Sequence, residues 1–124
     1  MRNYRDLKVW ERAHQLTLSL YKATSGFPKT EIYALTSQIR RAAASIGANL
    51  AEGCGRRTER EFGRFILIAM GSASELDYHL LLAHDLHLLQ SSDYDRHQSD
   101  LTEIRRMLTS LFLKLKLTAK GQKL

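Results

Sequence analysis

Apolar residues recur along the chain at alternating steps of three and four, the spacing that lines one face of an α-helix. Leu7, Trp10, Ala13, Leu16, Leu20 and Ala23 form the first such series and predict a helix over about residues 6–25. It stops at Ser25-Gly26-Phe27-Pro28, where glycine suits a C-cap and proline cannot continue the helix. Thr30 offers an N-cap for a second helix over about residues 31–53, which carries Leu35, Ile39, Ala42, Ile46 and Leu50. Gly53-Cys54-Gly55 can then leave helical geometry. Thr58 and Glu61 have capping-box spacing, in which each side chain meets the other's orphan backbone N–H. They open a third helix over about residues 59–90, with Phe62, Phe65, Ala69, Ala73, Leu76 and Leu80 on its stripe. A fourth, over about residues 93–118 with Ser91 or Ser92 as cap, carries Tyr94, Leu101, Ile104, Leu108, Leu111 and Leu115.

No stretch alternates in the way of a strand, and four helices on short loops pack most simply as an all-α, antiparallel up-down-up-down four-helix bundle. Folding the second and third helices back about residue 56 or 57 sets Ala42 and Ala43 level with Gly71 and Ser72. A mid-helix glycine costs about 1 kcal/mol against alanine, so Gly71 is expected where two backbones approach closely. Val9, Ile66, Ile68, Met70 and Phe112 fall outside the narrow stripes and either widen the core or serve self-association.

With 124 residues, 44% of them hydrophobic, the chain suits one domain over residues 1–124 with a single core. Its one cysteine, Cys54, excludes an internal disulfide and suits a reducing compartment. No uncharged run reaches the 18 residues of a membrane span, and the charged start MRNYRDLKVWERAH lacks the apolar segment of a secretory signal. A cytoplasmic protein without a membrane partner is expected.

Charge changes the picture once it is located. Residues 1–103 hold 13 bases and 13 acids, so the net charge of +6 lies wholly in residues 104–124. Between Glu75 and Glu103 seven acids face one base, Arg96. In the antiparallel bundle both termini and the second-to-third loop share one end. That end collects Arg2, Arg5, Lys8, Arg56, Arg57, Arg60, Arg64, Lys114, Lys116, Lys120 and Lys123, while Glu31, Asp85, Asp93, Asp95 and Asp100 gather at the other.

Tyr4-Arg-Asp-Leu-Lys-Val-Trp10, Phe27-Pro28, Leu35-Thr-Ser-Gln-Ile-Arg-Arg-Ala42, Ser45-Ile-Gly-Ala-Asn-Leu-Ala-Glu-Gly53, Arg56-Arg57-Thr58 and Gly71-Ser-Ala-Ser-Glu-Leu76 resemble the 23S rRNA intervening-sequence proteins, also called S23 ribosomal proteins. That family is similar to the accessory variability determinant of diversity-generating retroelements, a basic bundle that forms a pentameric ring and binds nucleic acid and a reverse transcriptase. The resemblance implies a homo-oligomer, a pentamer, with RNA or DNA and a reverse-transcriptase-like or other protein as partners. Gly47 stands where the family usually has proline, which leaves a kink in the second helix open.

Arg40, Arg41, Arg56, Arg57, Arg60 and Arg64, with Lys114 and Lys116, are the candidate nucleic-acid contacts, because arginine's planar fork matches phosphate oxygens and clustered bases release counterions. Glu52, Glu59 and Glu61 lie near enough in sequence to pair with them, so a solvated helix face is the competing reading. No aromatic platform stands beside these arginines in the sequence, and weak sequence specificity is expected. Ser45, Asn49 and Glu75 are candidates for a polar network that fixes register. Tyr4, Trp10 and Tyr33 suit either the core or an interface. A bundle di-metal site needs Glu-x-x-His on two helices, and only Glu11 and His14 have that spacing. No metal, cofactor or catalytic constellation is expected. The sequence thus predicts a non-enzymatic bundle that binds nucleic-acid backbone through a basic pole, or else a scaffold that docks an acidic protein.

Overall fold

The computed structural model describes the backbone of residues 2–122 and the side chains as far as Leu117. Lys120 and Lys123, placed above at the basic end, lie outside the described side chains. Four helices form, α1 (Lys8–Thr24), α2 (Leu35–Cys54), α3 (Glu59–Asp85) and α4 (Ser91–Gln122), with 3-10 turns at Tyr4–Asp6 and Lys29–Glu31. Each packs on the next, and α1 closes the ring against α4. Polar cross-links show the antiparallel order. Thr17 donates from α1 to the Ala43 carbonyl at 3.2 Å, Ser45 and Ser72 share a hydrogen bond of 2.8 Å, and Asp77 receives Gln98 at 2.8 Å and Arg105 at 2.9 Å. The protein is an all-α up-down-up-down bundle.

Its core takes the periodic columns read from the sequence: Ala13, Leu16 and Leu20 on α1, Ile39, Ile46 and Leu50 on α2, Phe62, Leu76 and Leu80 on α3, and Leu101, Ile104 and Leu108 on α4. Val9 and Ile66 are also fully enclosed, so these two widen the monomer's own core, whereas Ile68 faces outward. Helix α3 is, by length and mean hydropathy, the one helix among the described residues long and apolar enough to cross a bilayer, despite the lack of an 18-residue uncharged run. Its apolar character has two sources. One face supplies Phe62, Ile66, Ala69, Ala73, Leu76 and Leu80 to the core, and the outer faces carry Leu67, Ile68, Tyr78 and Leu81.

Three helix ends differ from the sequence reading. Thr30 is not the cap of α2. After Pro28 the chain makes the Lys29–Glu31 turn, and Ala34 at φ −121°, ψ −109° interrupts helical geometry, so α2 begins at Leu35. Helix α3 stops at Asp85 because His87 adopts φ 62°. Its N–H reaches the His84 carbonyl at 3.0 Å and the Leu88 N–H reaches Ala83 at 2.9 Å, the paired bonds of a Schellman end, with histidine where glycine is usual. In α4 the first carbonyl acceptor is Gln90, bonded by the Tyr94 N–H at 2.8 Å, so Ser91 is inside the helix rather than its cap.

The close approach between α2 and α3 is not at Gly71, which is exposed and would have nothing within 4 Å of an added Cβ. It is at Gly53. A Cβ there would lie 2.9 Å from Phe62 Cδ1 and 2.9 Å from Phe65 Cβ. Small residues do meet elsewhere on this seam, with Ala42, Ala43, Ala69 and Ala73 all buried.

Two outcomes are expected. Gly53→Ala forces two aromatic side chains apart and should lower stability by about 1–3 kcal/mol in urea unfolding, while Gly71→Ala should raise it by about 1 kcal/mol. Equal effects at the two sites would contradict this packing. His97 on α4 is 0% exposed, and both ring nitrogens lack a partner. Burial, reinforced by Arg96, holds its pKa below the ordinary 6.5 against the opposing pull of Asp93 and Asp100. The unfolded chain therefore takes up the proton first as pH falls. His97's contribution is complete above 6.5 and is lost below that value, so unfolding at pH 5 should be easier than at pH 7, and His97→Leu should flatten the difference.

Candidate nucleic-acid interface

The turn from α2 to α3 decides how the arginines are presented. Thr58 Oγ1 accepts the Glu61 N–H at 3.1 Å, the forward half of the expected capping box. Glu59 and Glu61 occupy the first turn of α3, where the helix dipole favours acids. The chain start is fastened over this turn. The Arg2 N–H donates to the Cys54 carbonyl at 3.0 Å, its guanidinium lies 4.6 Å from the Phe62 ring centre, and its two terminal nitrogens hold Glu59 at 2.6 and 2.7 Å. That bidentate pair pushes the Glu59 carboxyl below, and the Arg2 guanidinium above, their ordinary values. Cys54 sits under the same strap, 2% exposed, and burial raises its thiol pKa, so it is an inert core residue.

Two of the three acids at this turn are thereby occupied, while Glu61 stays exposed with no ion pair among the described residues. Glu59 belongs to Arg2, and Glu52 holds Arg56 at 2.8 Å while Arg56 stacks 4.7 Å over Phe65. Arg57, Arg60 and Arg64 remain exposed, with no ion pair among the described residues. Lys116 of α4 comes alongside. Arg60, Arg64 and Lys116 rim a groove of about 530 Å³ whose floor is Leu67, Phe112 and Leu115. Phe112 lies beside Gly63, which confirms that the end of α4 returns to the start of α3.

The eight candidate cations do not form one patch. Arg60, Arg64 and Lys116 share one groove, Arg57 lies in the α2–α3 turn that precedes it, and Arg56 is half-committed to Glu52. Lys114 faces the other seam of α4, where it lines a smaller groove with Leu7, Lys8 and Val9. Arg40 and Arg41 lie about 24 Å along α2 from Arg56. Arg40 donates to Thr24 Oγ1 at 2.8 Å and the Tyr21 carbonyl at 3.1 Å, and Arg41 bonds Gln38. The far end is divided as well. Its α3–α4 corner holds Asp85, Asp93 and Asp95, but its α1–α2 corner holds Lys22, Lys29, Arg40 and Arg41.

The polar network contains two of its three expected members. Asn49 Nδ2 donates to Ser45 Oγ at 3.0 Å, Ser45 shares a hydrogen with Ser72, and Ser72 donates to the Ile68 carbonyl. Glu75 is outside it, exposed and paired with His79 at 3.2 Å, because it projects one turn beyond Ser72. The sequence reading missed Ser72 as the bridge and Arg2 as the strap. Serine in an exposed helix carries no periodic signal, and Arg2 precedes every helix. Helix α2 runs unbroken through Gly47, and an added Cβ there would meet Trp10 Nε1 at 3.3 Å. Trp10 itself is half-buried, edge-on to Tyr4 and stacked on His14, while Tyr33 is 95% exposed. No group of three or more His, Cys, Asp or Glu among the described residues could hold a metal ion.

Comparison with known proteins gives one family and one fold. No curated protein matches the chain. A crystal structure of a protein of unknown function from the S23 ribosomal protein family of Bacteroides thetaiotaomicron is 25% identical, with a TM-score of 0.76, over 84% of this chain and 97% of that one. The model of the 23S rRNA-intervening sequence protein family matches residues 5–110, and with the bundle above this places the chain in that family: it belongs to the 23S rRNA-intervening sequence proteins.

Proposed function

We propose that the protein is a non-catalytic, homo-oligomeric bundle that binds the sugar-phosphate backbone of RNA or DNA through Arg57, Arg60, Arg64 and Lys116. The supporting observation is the pairing pattern at this end. Neighbouring Glu52 and Glu59 are held by Arg56 and Arg2, and Arg57, Arg60 and Arg64 stand free of ion pairs among the described residues, the last two beside one groove. Arginine's planar fork suits phosphate oxygens, and several such forks at one helix end suit a ligand with more than one phosphate.

Self-association is supported by the outer face of α3. Leu67, Gly71, Ser74, Tyr78 and Leu81 follow one another at steps of four and three, and Leu67, Tyr78 and Leu81 are all exposed. One line of large apolar side chains is more than the scattered exposure of an ordinary surface. A pentamer is the number the family resemblance implies. The apolar floor of the groove, Leu67, Phe112 and Leu115, favours a second reading in which an acidic protein segment, of a reverse-transcriptase-like or another partner, lies between the same cations.

Two measurements test the proposal. Generic RNA should bind in a salt-dependent manner, and replacing Arg57, Arg60, Arg64 and Lys116 by Ala should reduce the log–log salt slope by about 0.7–0.9 for each lost phosphate contact, with the helical circular dichroism unchanged. Tight RNA binding that survives the quadruple change excludes the basic pole, and an acidic peptide that outcompetes RNA points to the second reading. Light scattering should give a mass above the 14.2 kDa of one chain, and Leu67→Lys with Tyr78→Lys should return it to that value. A wild-type monomer at micromolar concentration overturns the oligomer.

A further inference from the structure

We infer that a second cleft, at the corner where α1 meets α2, takes an unpaired nucleotide, so that the nucleic acid bound under the reading above, on which this inference rests, is single-stranded where it touches the far end. The cleft holds about 480 Å³ and is lined by Tyr21, Tyr33, Thr36, Ser37, Arg40 and Arg41. Tyr33 leaves nearly its whole ring in water, an arrangement no core packing explains. In the same cleft Arg40 is fixed in place: its guanidinium lies 4.7 Å over Tyr21 and is anchored to Thr24 Oγ1 and the Tyr21 carbonyl. The open ring of Tyr33 and the guanidinium plane pinned on Tyr21 are the kinds of surface on which a base of any identity stacks.

The floor of the cleft supplies donors for the attached phosphate. Ala34 caps α2 with no side-chain hydrogen bond, no acid lies in its first turn, and the Thr36 and Ser37 N–H groups have no partner among the described residues. Helix N-terminal amides of this kind receive phosphate oxygens. Thr36 lines this cleft and is only 4% exposed, its hydroxyl unbonded and closed to solvent, so that a rotation of the side chain would be needed to bring it to a phosphate. Glu31 opposes an anion here in part, because its carboxylate takes the Leu35 N–H at 3.4 Å, but Arg41 offsets it from the exposed side. An acidic peptide would use the cations and leave the exposed ring of Tyr33 without a role.

Fluorescence anisotropy with a labelled dodecameric uridine strand and an RNA duplex of the same length separates this site from the basic pole. Tyr33→Ala touches only a solvent-facing ring and should weaken the single strand about tenfold while leaving the duplex within about twofold. Arg41→Ala should act in the same direction. Unchanged single-strand affinity in both variants, with binding lost in the quadruple variant of the pole, overturns the cleft and leaves the pole standing. Single-strand binding that depends on Tyr33 but survives the quadruple variant supports the cleft and removes the pole. A wild-type protein that binds neither probe sinks both, and Tyr33-dependent capture of polyglutamate in preference to the uridine strand overturns the nucleotide assignment.

Discussion

The contact on which the molecule depends is the missing side chain of Gly53. Because the last turn of α2 holds a residue without a Cβ, the rings of Phe62 and Phe65 close over it at a distance no other residue would permit. That closure sets the register of α2 against α3, and Ser45 meets Ser72 about two turns further along α2. It also creates the two aromatic faces that receive cations, Phe62 under Arg2 and Phe65 under Arg56. Each of those arginines then reaches a glutamate of the same turn. The distribution of charge at the basic end is therefore a consequence of packing: Arg2 and Arg56 are drawn inward onto rings and acids, and Arg57, Arg60 and Arg64 are turned out.

The core accepts polar groups where the seams need them. Thr17 and Thr24 donate to helix carbonyls, and Asn49, Ser45 and Ser72 satisfy one another, so these cost little. His97 is different. Enclosed on all sides with both nitrogens unpartnered, it carries a desolvation cost of about 1–3 kcal/mol for an unmet hydrogen-bonding group. It sits on α4 one turn before Leu101, in the column the sequence pattern skipped between Tyr94 and Leu101, so the helical period demanded burial where the residue type argued against it.

What was legible in the sequence follows from the same distinction between repeated and single-residue signals. The columns of Leu, Ile and Ala recur four or more times per helix, and that redundancy made the four helices and their antiparallel order readable. Helix ends rest on one residue each. Thr30 has the side chain of an N-cap but is held in a 3-10 turn behind Pro28, and His87 takes the left-handed conformation that sequence reading reserves for glycine. Both mistakes come from choosing the favoured residue type over backbone context. Gly71 was given the role that belongs to Gly53, because a glycine in mid-helix is conspicuous while one near a turn is already explained. For the candidate site, topology alone brought the α2–α3 turn and the end of α4 into one neighbourhood, where Arg60, Arg64 and Lys116 line a common groove. Arg40 and Arg41 were grouped with them on charge, although about 24 Å of helix intervenes. The tyrosines beside those two lie on separate elements, out of reach of any periodic pattern.

Regarding the two ends together resolves an apparent contradiction in the charge pattern. A chain whose first 103 residues are neutral would make a poor polyanion binder if its acids and bases were mixed on every face. The bundle instead sorts them by corner. Asp85, Asp93 and Asp95 flank the α3–α4 loop, and the arginines gather at the α2–α3 turn and the α1–α2 corner, the two ends of one helix, α2, where Glu52 and Glu59 are held in ion pairs. A 20-residue helix sets those corners about 30 Å apart. If the proposed binding holds, a short oligonucleotide can engage one corner or the other and only an extended strand can span both, so that affinity would depend on strand length through the geometry of α2.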